Sequence, residues 1–296
     1  MVNVLTKILG ESNVLLDEPL KKHCTFRIGG NARFYVTPEN FFDLFEVIKQ
    51  LNETKTKWKI VGNGSNLLFS DDGFDGVIIS TSKLNHYCNL DNGEMIVSAG
   101  VTLANLTNML AELGFSGLEF ACGIPGTVGG AIFMNAGAYG KEMSNVIKSV
   151  TYFNGEKVVT SRNEDLGFSY RKSFFQENPE YVIMFCEIEI NLSNREMVLS
   201  EMRRFKSERV QKQPIGPSAG SVFKSVDGIP AGKIIEDCGL KNFKVGGAVV
   251  SSRHANFIIN DGTATSKDVV ELIEVIKARV NESYNKALQL EIEIVK

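Results

Sequence analysis

Hydrophobic and polar positions along the chain follow two periods, and together they predict a mixture of helices and strands. A helix is predicted after residues 37–39, because Thr-Pro-Glu supplies a cap, a proline at the first helical position and an acid in the first turn. Helices are also predicted over 102–114 and 267–287, where apolar residues recur on one face. A more polar helix is predicted over 195–210.

Strands are predicted where short apolar runs are bounded by turn residues. Asn154-Gly155 lies between two such runs and predicts a hairpin, because this pair suits a type I′ turn. In 290–295 apolar residues alternate with Glu291 and Glu293, so both glutamates are expected on one face of a last strand. From spacing alone, a solvated acidic edge is the favoured interpretation of these glutamates. The other predicted strands are 58–61, 77–79, 146–153, 156–160, 181–190, 221–224, 248–250 and 257–259.

This pattern is typical of an α+β fold, with a domain boundary inside or just after the 195–210 helix. The 296 residues, 43% of them hydrophobic, suffice for two or three units with their own cores. A net charge of −3 gives no general affinity for nucleic acid. No apolar run approaches the ~20 residues of a membrane helix, and the first residues lack the apolar core of a signal peptide. Five scattered cysteines and three histidines favour a reduced, cytoplasmic compartment and argue against a metal site.

Glycine is concentrated in one segment, since residues 114–140 hold eight of the 27 glycines. Such a segment is costly unless the backbone must adopt positive φ or approach a ligand closely. A second glycine loop, GNGSN at 62–66, follows a predicted strand. Both loops offer backbone N–H groups to a phosphate, although neither has the Walker or GxGxxG spacing. One such loop is more often a turn than a ligand site, but two favour a large phosphate-bearing cofactor.

Three further motifs carry candidate chemistry. Arg171 in SYRKS could clamp a carboxylate, although a solvated strand end is the favoured interpretation from this motif alone. Within 201–224, six basic residues against two acidic ones suit an anionic substrate. The alternative interpretation, the solvent-exposed face of a helix, explains Arg203 and Lys206. Ser221 follows small residues but lies in no GxSxG elbow, so its hydroxyl fits a proton donor better than an acyl nucleophile.

Taken together and in order, these motifs resemble the UDP-N-acetylenolpyruvoylglucosamine reductase family. The short interval between SYRKS and KQP is similar to the compact type II form, which lacks a tyrosine-bearing insertion. The matching segments span almost the whole chain: GNGSNLLF (62–69), GLEFACGIPGTVGGAIFMNAGAYG (117–140), SYRKS (169–173), KQP and PSAGSVFK (within 212–224), AGKIIEDCGLK (231–241) and SSRHANFIIN (251–260).

The resemblance implies an FAD-binding fold of the vanillyl-alcohol oxidase type with a C-terminal α+β substrate domain. Residues 1–83 would form the first FAD-binding lobe, joined by the strand 290–296, and 84–194 the second. Residues 195–289 would form the substrate domain. FAD would be held without a covalent link, since neither glycine loop contains a histidine. The residues expected to contact it are Gly62, Asn63, Gly64, Ser65, Asn66, Gly123, Ile124, Pro125, Gly126, Thr127, Gly129, Gly130, Asn135, Ala136 and Gly137.

The resemblance also implies a two-step reduction in peptidoglycan precursor synthesis. NADPH reduces FAD and leaves, and UDP-N-acetylglucosamine enolpyruvate then receives a hydride and a proton to give UDP-N-acetylmuramate. Arg171 would stabilise the developing enolate, Ser221 would donate the proton and Glu293 would support the enolate. Glu293 is chosen over Glu291 from the family's ending, although the family's proline and Phe-Gly-Val are absent here. The UDP end would contact Tyr170, Arg209, Lys212, Lys224 and His254.

A monomeric protein is expected, with a small-molecule substrate and no nucleic acid or membrane partner. Two alternatives remain beside the reductase. An oxygen-using flavin oxidase of the same fold would have no reason to combine SYRKS, AGSVFK and the acidic ending. A catalytically silent sensor of nucleotide sugars would have lost Arg171, Ser221 or Glu293, and all three are present.

Overall fold

The computed structural model describes residues 1–90 and 93–296 of the chain. The helices of these residues are α1 (Val2–Leu9), α2 (Phe41–Glu53), α3 (Leu103–Glu112), α4 (Val128–Phe133), α5 (Phe174–Glu177), α6 (Arg195–Lys212), α7 (Ala231–Asp237) and α8 (Ser266–Tyr284). The strands are β1 (Val14–Pro19), β2 (Asn31–Val36), β3 (Trp58–Val61), β4 (Leu67–Phe69), β5 (Phe74–Ser80), β6 (Tyr87–Leu90), β7 (Glu94–Ser98), β8 (Phe115–Ser116), β9 (Gly137–Ala138), β10 (Lys141–Glu142), β11 (Ile147–Phe153), β12 (Val158–Arg162), β13 (Val182–Glu189), β14 (Asn191–Leu192), β15 (Lys244–Val245), β16 (Ala248–Val250), β17 (Ile258–Asn260) and β18 (Glu293–Val295).

The chain divides into two compact units, each assembled from separate segments. Unit 1 comprises Met1–Leu15, Tyr35–Asn63 and Val77–Arg209, and unit 2 comprises Leu16–Phe34, Gly64–Gly76 and Val210–Lys296. The division falls inside helix α6 and inside strands β1, β2 and β5. These three strands and β3 form a four-stranded sheet in the order β1-β2-β5-β3. The three-lobe division expected from the sequence stays a prediction.

Unit 1 is built around an antiparallel five-stranded sheet in the order β12-β11-β13-β7-β6. Apolar residues of this sheet pack with α3 and α4 into one core, which includes Val97, Leu106, Ile132, Val150 and Ile188. Helix α6 joins unit 1 through a smaller cluster, in which Val198, Met202 and Phe205 pack with Ala111 and Cys122. The narrow buried stripe on α6 agrees with its polar sequence.

Unit 2 contains the antiparallel sheet β15-β16-β17, against which α8 packs. The buried side chains of α8 recur at helical spacing, as the sequence predicts: Val269, Leu272, Ile273, Ile276 and Val280. A second, parallel pair joins β4 to β18, with Glu293 opposite Leu67. Because β4 begins at the residue after the glycine loop 62–66, this pairing places β18 beside the end of that loop.

Several local predictions are confirmed, including strand β3 at its predicted bounds, strand β13 and the helix capped by Thr102. The first predicted helix start is wrong. Helix α2 begins at Phe41, because the Asn40 side chain accepts the N–H of Asp43 at 2.9 Å and donates to the Asp43 carboxylate at 2.8 Å. The N–H of Thr37 instead donates to the Asn13 carbonyl.

The hairpin is confirmed, but its turn is displaced by one residue. Asn154 and Lys157 close the turn through a backbone hydrogen bond, so Gly155 takes the first central position with φ of 94°. A glycine there is typical of type II′ rather than type I′. The Asn154 side chain accepts hydrogen bonds from the N–H groups of Glu156 and Lys157, which favours this register.

Two predicted strands near the chemistry are also wrong. Residues 221–224 form no strand but two isolated bridges, Ser221 with Phe257 and Phe223 with Leu290. The last strand is shorter than predicted, since β18 covers only Glu293–Val295. Because 291–292 form a bend, Glu291 lies outside the strand, and the two glutamates do not share one strand face.

No helix among residues 1–90 and 93–296 combines the length and apolar character needed to cross a bilayer. Over the same residues, His, Cys, Asp and Glu form no group of three suited to a metal ion.

Candidate active site

The loop 62–66 presents backbone N–H groups that the protein itself does not use. In the described part of the chain, none of the five N–H groups from Gly62 to Asn66 donates a hydrogen bond to another residue. The division between the units passes between Asn63 and Gly64. A row of unpaired N–H groups in a loop after a strand is a suitable cradle for an anion.

The segment 123–127 of unit 1 adds three more such donors. Among the described residues, the N–H groups of Gly123, Gly126 and Thr127 have no hydrogen-bond acceptor. The helix that follows is different, because the first N–H groups of α4 are already used. Val128 donates to Val101, Gly129 donates to Ala99, and Gly130 donates to the Thr127 hydroxyl. The free donors therefore precede α4, and its N-terminal turn is closed by protein groups.

Within unit 1 the two glycine loops meet at Gly62. A Cβ at this position would lie 2.4 Å from Oγ1 of Thr127, which no side chain could tolerate without a shift. Since Thr127 is buried and caps α4, it has no room to move away. Gly62 is therefore required by the close approach of the two loops.

The SYRKS motif forms a tight turn rather than a strand end. Ser169 and Lys172 exchange two backbone hydrogen bonds of 3.1 and 3.0 Å, which leaves Tyr170 and Arg171 at the tip. Arg171 has φ of 54°, in the left-handed region that glycine usually occupies. Strained non-glycine backbone of this kind is concentrated at functional sites.

The Arg171 side chain points back to the glycine-rich segment. Its Nη2 donates to the carbonyl of Gly137 at 3.0 Å, and its guanidinium carbon lies 5.1 Å from the centre of the Tyr170 ring. The residue Arg171 is half-buried, whereas Tyr170 is 51% exposed. Unit 1 thus joins the predicted catalytic cation to the predicted cofactor segment.

Arg209 also lies in unit 1, against the same segment. A Cβ at Gly123 would lie 3.1 Å from Cδ of Arg209, so this side chain covers the bare backbone there. Its guanidinium carbon is 5.9 Å from the ring centre of Tyr139, which in turn stacks on Phe205 at 4.0 Å. Arg203 and Lys206 are exposed, as expected for the wet face of a helix.

Ser221 belongs to an irregular segment in the interior of unit 2. On one side, Val222 donates to the carbonyl of Asn256 at 2.8 Å. The buried Asn256 side chain accepts the N–H of Phe223 and donates to its carbonyl, so it substitutes for a strand partner. On the other side, Lys224 donates to the carbonyl of Gln289. The half-buried Ser221 is thus fixed by its backbone neighbours.

The predicted catalytic glutamate lies beside this segment and beside the first glycine loop. The Glu291 N–H donates to the Val222 carbonyl, and the Asn66 side chain donates to the Glu291 carbonyl. The Glu293 N–H donates to the carbonyl of Asn66 at 2.9 Å. Unit 2 therefore brings together Asn66, the Ser221 segment and both glutamates, and both carboxylate side chains are half-buried.

His254 borders the Ser221 segment through Phe257. The two rings meet edge to face at 4.9 Å, and Nδ1 of His254 accepts the N–H of Asn256 at 3.3 Å. Burial lowers the pKa of His254, and Lys241 lowers it further, while Glu236 opposes this shift. Lys212 is exposed at the end of α6, in the part that belongs to unit 2.

Two side-chain amides near the site, the half-buried Gln176 and the buried Asn256, were not found by sequence reasoning, and a third, Asn135, makes contacts that it did not predict. Gln176 lies in no quoted motif, and Asn256 lies in SSRHANFIIN (251–260) but was assigned no role, so only their contacts reveal them. Asn135 was predicted to contact a cofactor, but its side chain is fully buried and bonded to Ser169 and Ser144. The sequence gives no signal for these amides, because each has at least one partner more than 30 residues away.

Unit 1 also contains a cavity of about 310 Å³, whose lining includes Tyr139 and Phe205. It includes none of the three predicted catalytic residues. Its lining residues are Glu119, Phe120, Tyr139, Lys141, Glu201, Arg204, Phe205 and Glu208.

The chain is similar to known proteins over nearly its whole length. The FAD binding domain family matches residues 32–160, and the C-terminal domain family of UDP-N-acetylenolpyruvoylglucosamine reductase matches residues 210–295. The chain is 43% identical to the UDP-N-acetylenolpyruvoylglucosamine reductase of Carboxydothermus hydrogenoformans, over 98% of this chain and 96% of that protein. It is 41% identical to that of Caldanaerobacter subterraneus, over 100% of this chain and 98% of that protein.

Solved structures give the same result. The reductase of Thermus caldophilus superposes with a TM-score of 0.81 at 34% identity, covering 96% of this chain and 98% of that one. An alkyldihydroxyacetonephosphate synthase superposes with a TM-score of 0.50 at 14% identity, over 64% of this chain and 40% of that one, a likeness of fold alone.

The predicted α+β class, with an FAD-binding fold of the vanillyl-alcohol oxidase type, is thereby confirmed. Fold and site define an FAD-dependent oxidoreductase. The chain belongs to the UDP-N-acetylenolpyruvoylglucosamine reductase family.

Proposed function

We propose that the protein reduces UDP-N-acetylglucosamine enolpyruvate to UDP-N-acetylmuramate, with NADPH as reductant and FAD as bound cofactor, in peptidoglycan precursor synthesis. The observation that carries this proposal is the turn that presents Arg171. A strained backbone holds the guanidinium of the half-buried Arg171 against the segment suited to the cofactor, in a chain of the reductase family. A charged group held in place before reaction suits a step in which negative charge develops.

The residues present fit FAD at its diphosphate. Within unit 1, the unpaired N–H groups of Gly62, Asn63, Gly123, Gly126 and Thr127 can donate to phosphate oxygens. In unit 2, those of Gly64, Ser65 and Asn66 are also suited to an anion. Ile124, Pro125, Gly129, Gly130, Ala136 and Gly137 remain proposed contacts along the same segment. The predicted contact at Asn135 is limited to its backbone, because its side chain is buried and bonded to Ser169 and Ser144. When bound, FAD carries hydride from NADPH to the substrate.

The protein groups then have separate roles around the substrate. Arg171 binds the substrate carboxylate and stabilises the enolate that forms from it. The Ser221 hydroxyl donates the proton to the neighbouring carbon, and Glu293 supports the enolate. Arg171 lies in unit 1, whereas Ser221 and Glu293 lie in unit 2.

The UDP end of the substrate is proposed to contact Tyr170, Arg209, Lys212, Lys224 and His254. The contacts around Ser221 favour Lys224 and His254 among these, because both lie on or beside its segment. Arg209 covers Gly123 and is therefore also placed to act on the cofactor. A monomeric, cytoplasmic protein completes the proposal.

Anaerobic stopped-flow absorbance tests the proposed function. NADPH should bleach the flavin of the purified protein, and UDP-N-acetylglucosamine enolpyruvate should restore the colour in equal amount without oxygen. Recolouring by oxygen alone would favour an oxidase. Flavin that neither reagent changes would favour the sensor and contradict the proposal.

A further inference from the structure

The second half of the glycine-rich segment makes a set of contacts that cofactor binding does not require. Residues 133–137 surround the turn that carries Arg171. The Phe133 carbonyl accepts hydrogen bonds from Ser173 Oγ at 2.7 Å and from Gln176 Nε2 at 2.9 Å. The Gly137 carbonyl accepts from Arg171 itself. This part of the segment therefore contacts the arginine turn through backbone carbonyls, which are acceptors and repel phosphate.

Two side-chain amides fix the turn at opposite ends. Nδ2 of Asn135 donates to the Ser169 carbonyl at 3.0 Å, and Nε2 of Gln176 donates to the Arg171 carbonyl at 3.1 Å. Each amide also makes a second hydrogen bond that holds it in place. Oδ1 of Asn135 accepts the N–H of Ser144 at 3.0 Å, and Nε2 of Gln176 also donates to Phe133. The turn cannot shift without breaking one of these bonds.

The backbone of the turn needs such support. Arg171 has φ of 54° and Asn135 has φ of 41°, both in the left-handed region. For an L-residue other than glycine this conformation costs ~1–2 kcal/mol, and asparagine tolerates it better than most residues. The strain at Arg171 persists because hydrogen bonds on both sides determine the conformation.

We propose that Asn135 and Gln176 are positioning residues for Arg171, and that residues 133–137 form a seat for this arginine. The inference rests on the proposed function, in which Arg171 stabilises the enolate. It assigns the side chain of Asn135 to the arginine and not to FAD, since Asn135 is 0% exposed. It also assigns Gln176, which no motif indicates.

The first test replaces the Gln176 amide without changing its length. Gln176→Met removes both donors, and Gln50→Met on α2 is the matched control, because among the described residues its side chain donates only to surface Glu53. Flavin reoxidation by the enolpyruvyl substrate should slow ~10–10²-fold, the scale expected when a catalytic group is displaced by about 1 Å. Flavin content and bleaching by NADPH should match those of the control.

A double-mutant cycle separates positioning from a general loss of stability. Arg171→Lys retains the charge but lacks the planar fork, so it should slow reoxidation by itself. In the Arg171→Lys background, Gln176→Met should add less than about threefold, because both changes affect the same interaction. Full additivity of the two effects would overturn the proposal.

Asn135→Asp gives an independent readout through pH. The aspartate keeps an oxygen for the Ser144 N–H, but it can donate to Ser169 only when protonated. Relative to wild type, its reoxidation rate should therefore recover as the pH is lowered. A constant ratio across pH would contradict the role of the Asn135 donor.

Hydrogen exchange supplies the measurement if a variant proves too unstable for kinetics. The N–H of Lys172 donates to Ser169 across the turn. Partial destabilisation of the whole fold would accelerate exchange throughout unit 1, whereas loss of the seat should accelerate residues 169–172 first. Uniform acceleration would contradict the proposal.

Failure of the proposed function would look different. Wild-type flavin that the enolpyruvyl substrate does not reoxidise contradicts the function before any variant is made, and with it the step that Arg171 is positioned for. Slow Arg171→Lys beside fast Gln176→Met and Asn135→Asp contradicts the positioning inference alone.

Discussion

At the scale of single residues, Ser221 combines a fixed backbone with an uncommitted hydroxyl. Its neighbours Val222 and Phe223 are bonded to Asn256, but Ser221 Oγ makes no hydrogen bond within the described part of the chain. Ser221→Ala should therefore change the free energy of unfolding by less than ~0.5 kcal/mol. If the hydroxyl is the proton donor, reoxidation by the enolpyruvyl substrate should slow ~10²–10⁴-fold while NADPH still bleaches the flavin.

The control for Ser221→Ala lies in the two half-reactions of the same sample. Equal slowing of both, in stopped-flow traces, would mean that Ser221 supports flavin binding or folding. A variant that reoxidises at the wild-type rate would exclude the hydroxyl as the proton donor.

His254 makes a pH prediction for stability. Burial lowers the pKa of His254 in the folded protein, so the unfolded chain binds more protons between the folded value and its own value of about 6.5. Stability is therefore complete above the unfolded value and falls as the pH drops through 6.5 toward the folded value. Melting temperatures of wild type and His254→Asn should diverge in their pH dependence over this range. Parallel curves would show that His254 does not contribute.

At the scale of helices and strands, local signals succeeded where the neighbours in sequence decide the structure. Thr102 caps α3 through its own side chain, and the 153–158 hairpin forms around a glycine turn. Prediction failed where distant partners decide. The last strand is short because its parallel partner β4 offers only three residues, Leu67–Phe69. Residues 221–224 form bridges because Asn256 replaces a strand on one side.

Because β18 is shorter than predicted, the two C-terminal glutamates have different surroundings. Glu293 begins β18 and is held in register with Leu67, whereas Glu291 precedes the strand and is held by Val222 and Asn66. We expect Glu293→Gln to slow substrate-driven reoxidation ~10²–10³-fold, the scale for loss of one electrostatic group at a reacting centre. Glu291→Gln should change the rate little, with thermal melting as the folding control.

The opposite result would identify a different position for the catalytic acid at the end of the chain. A slow Glu291→Gln beside a normal Glu293→Gln would place the acid in the bend 291–292 rather than in β18. Normal rates for both variants would leave the acidic ending with a structural role only.

At the scale of the whole molecule, the order of motifs was sufficient to predict the family and the cofactor fold. The order of motifs was not sufficient to predict which segments form each compact unit. Unit 2 combines Leu16–Phe34, Gly64–Gly76 and Val210–Lys296, and no local pattern predicts that such separate segments pack together. The same limit applies to the site. Asn135 and Gln176 are recognisable only by their partners, because an isolated asparagine or glutamine has no characteristic spacing.

The glycine-rich segment, with eight of the 27 glycines, is only partly explained by the protein's own packing. A Cβ at Gly129 would lie 2.8 Å from the Ala99 side chain, so that glycine is required by the fold. Gly130 is different. It is an exposed member of α4, and its Cβ would meet only Thr127 Oγ1, at an ordinary 3.6 Å. Helical glycine costs ~0.5–1 kcal/mol relative to alanine, so the fold alone favours alanine there.

Gly130→Ala therefore tests whether FAD lies against this helix. In the FAD-free protein the melting temperature should be unchanged or higher, because alanine is the better helix former. The dissociation constant for FAD should rise ~5–100-fold, because a methyl group forced into a packed contact costs ~1–3 kcal/mol. Lys49→Ala on the exposed face of α2 is the control, and flavin fluorescence measures the affinity. If Gly130→Ala stabilises the FAD-free protein and binds FAD as tightly as the control, the cofactor lies away from α4, and its contacts are confined to the unpaired N–H groups before the helix.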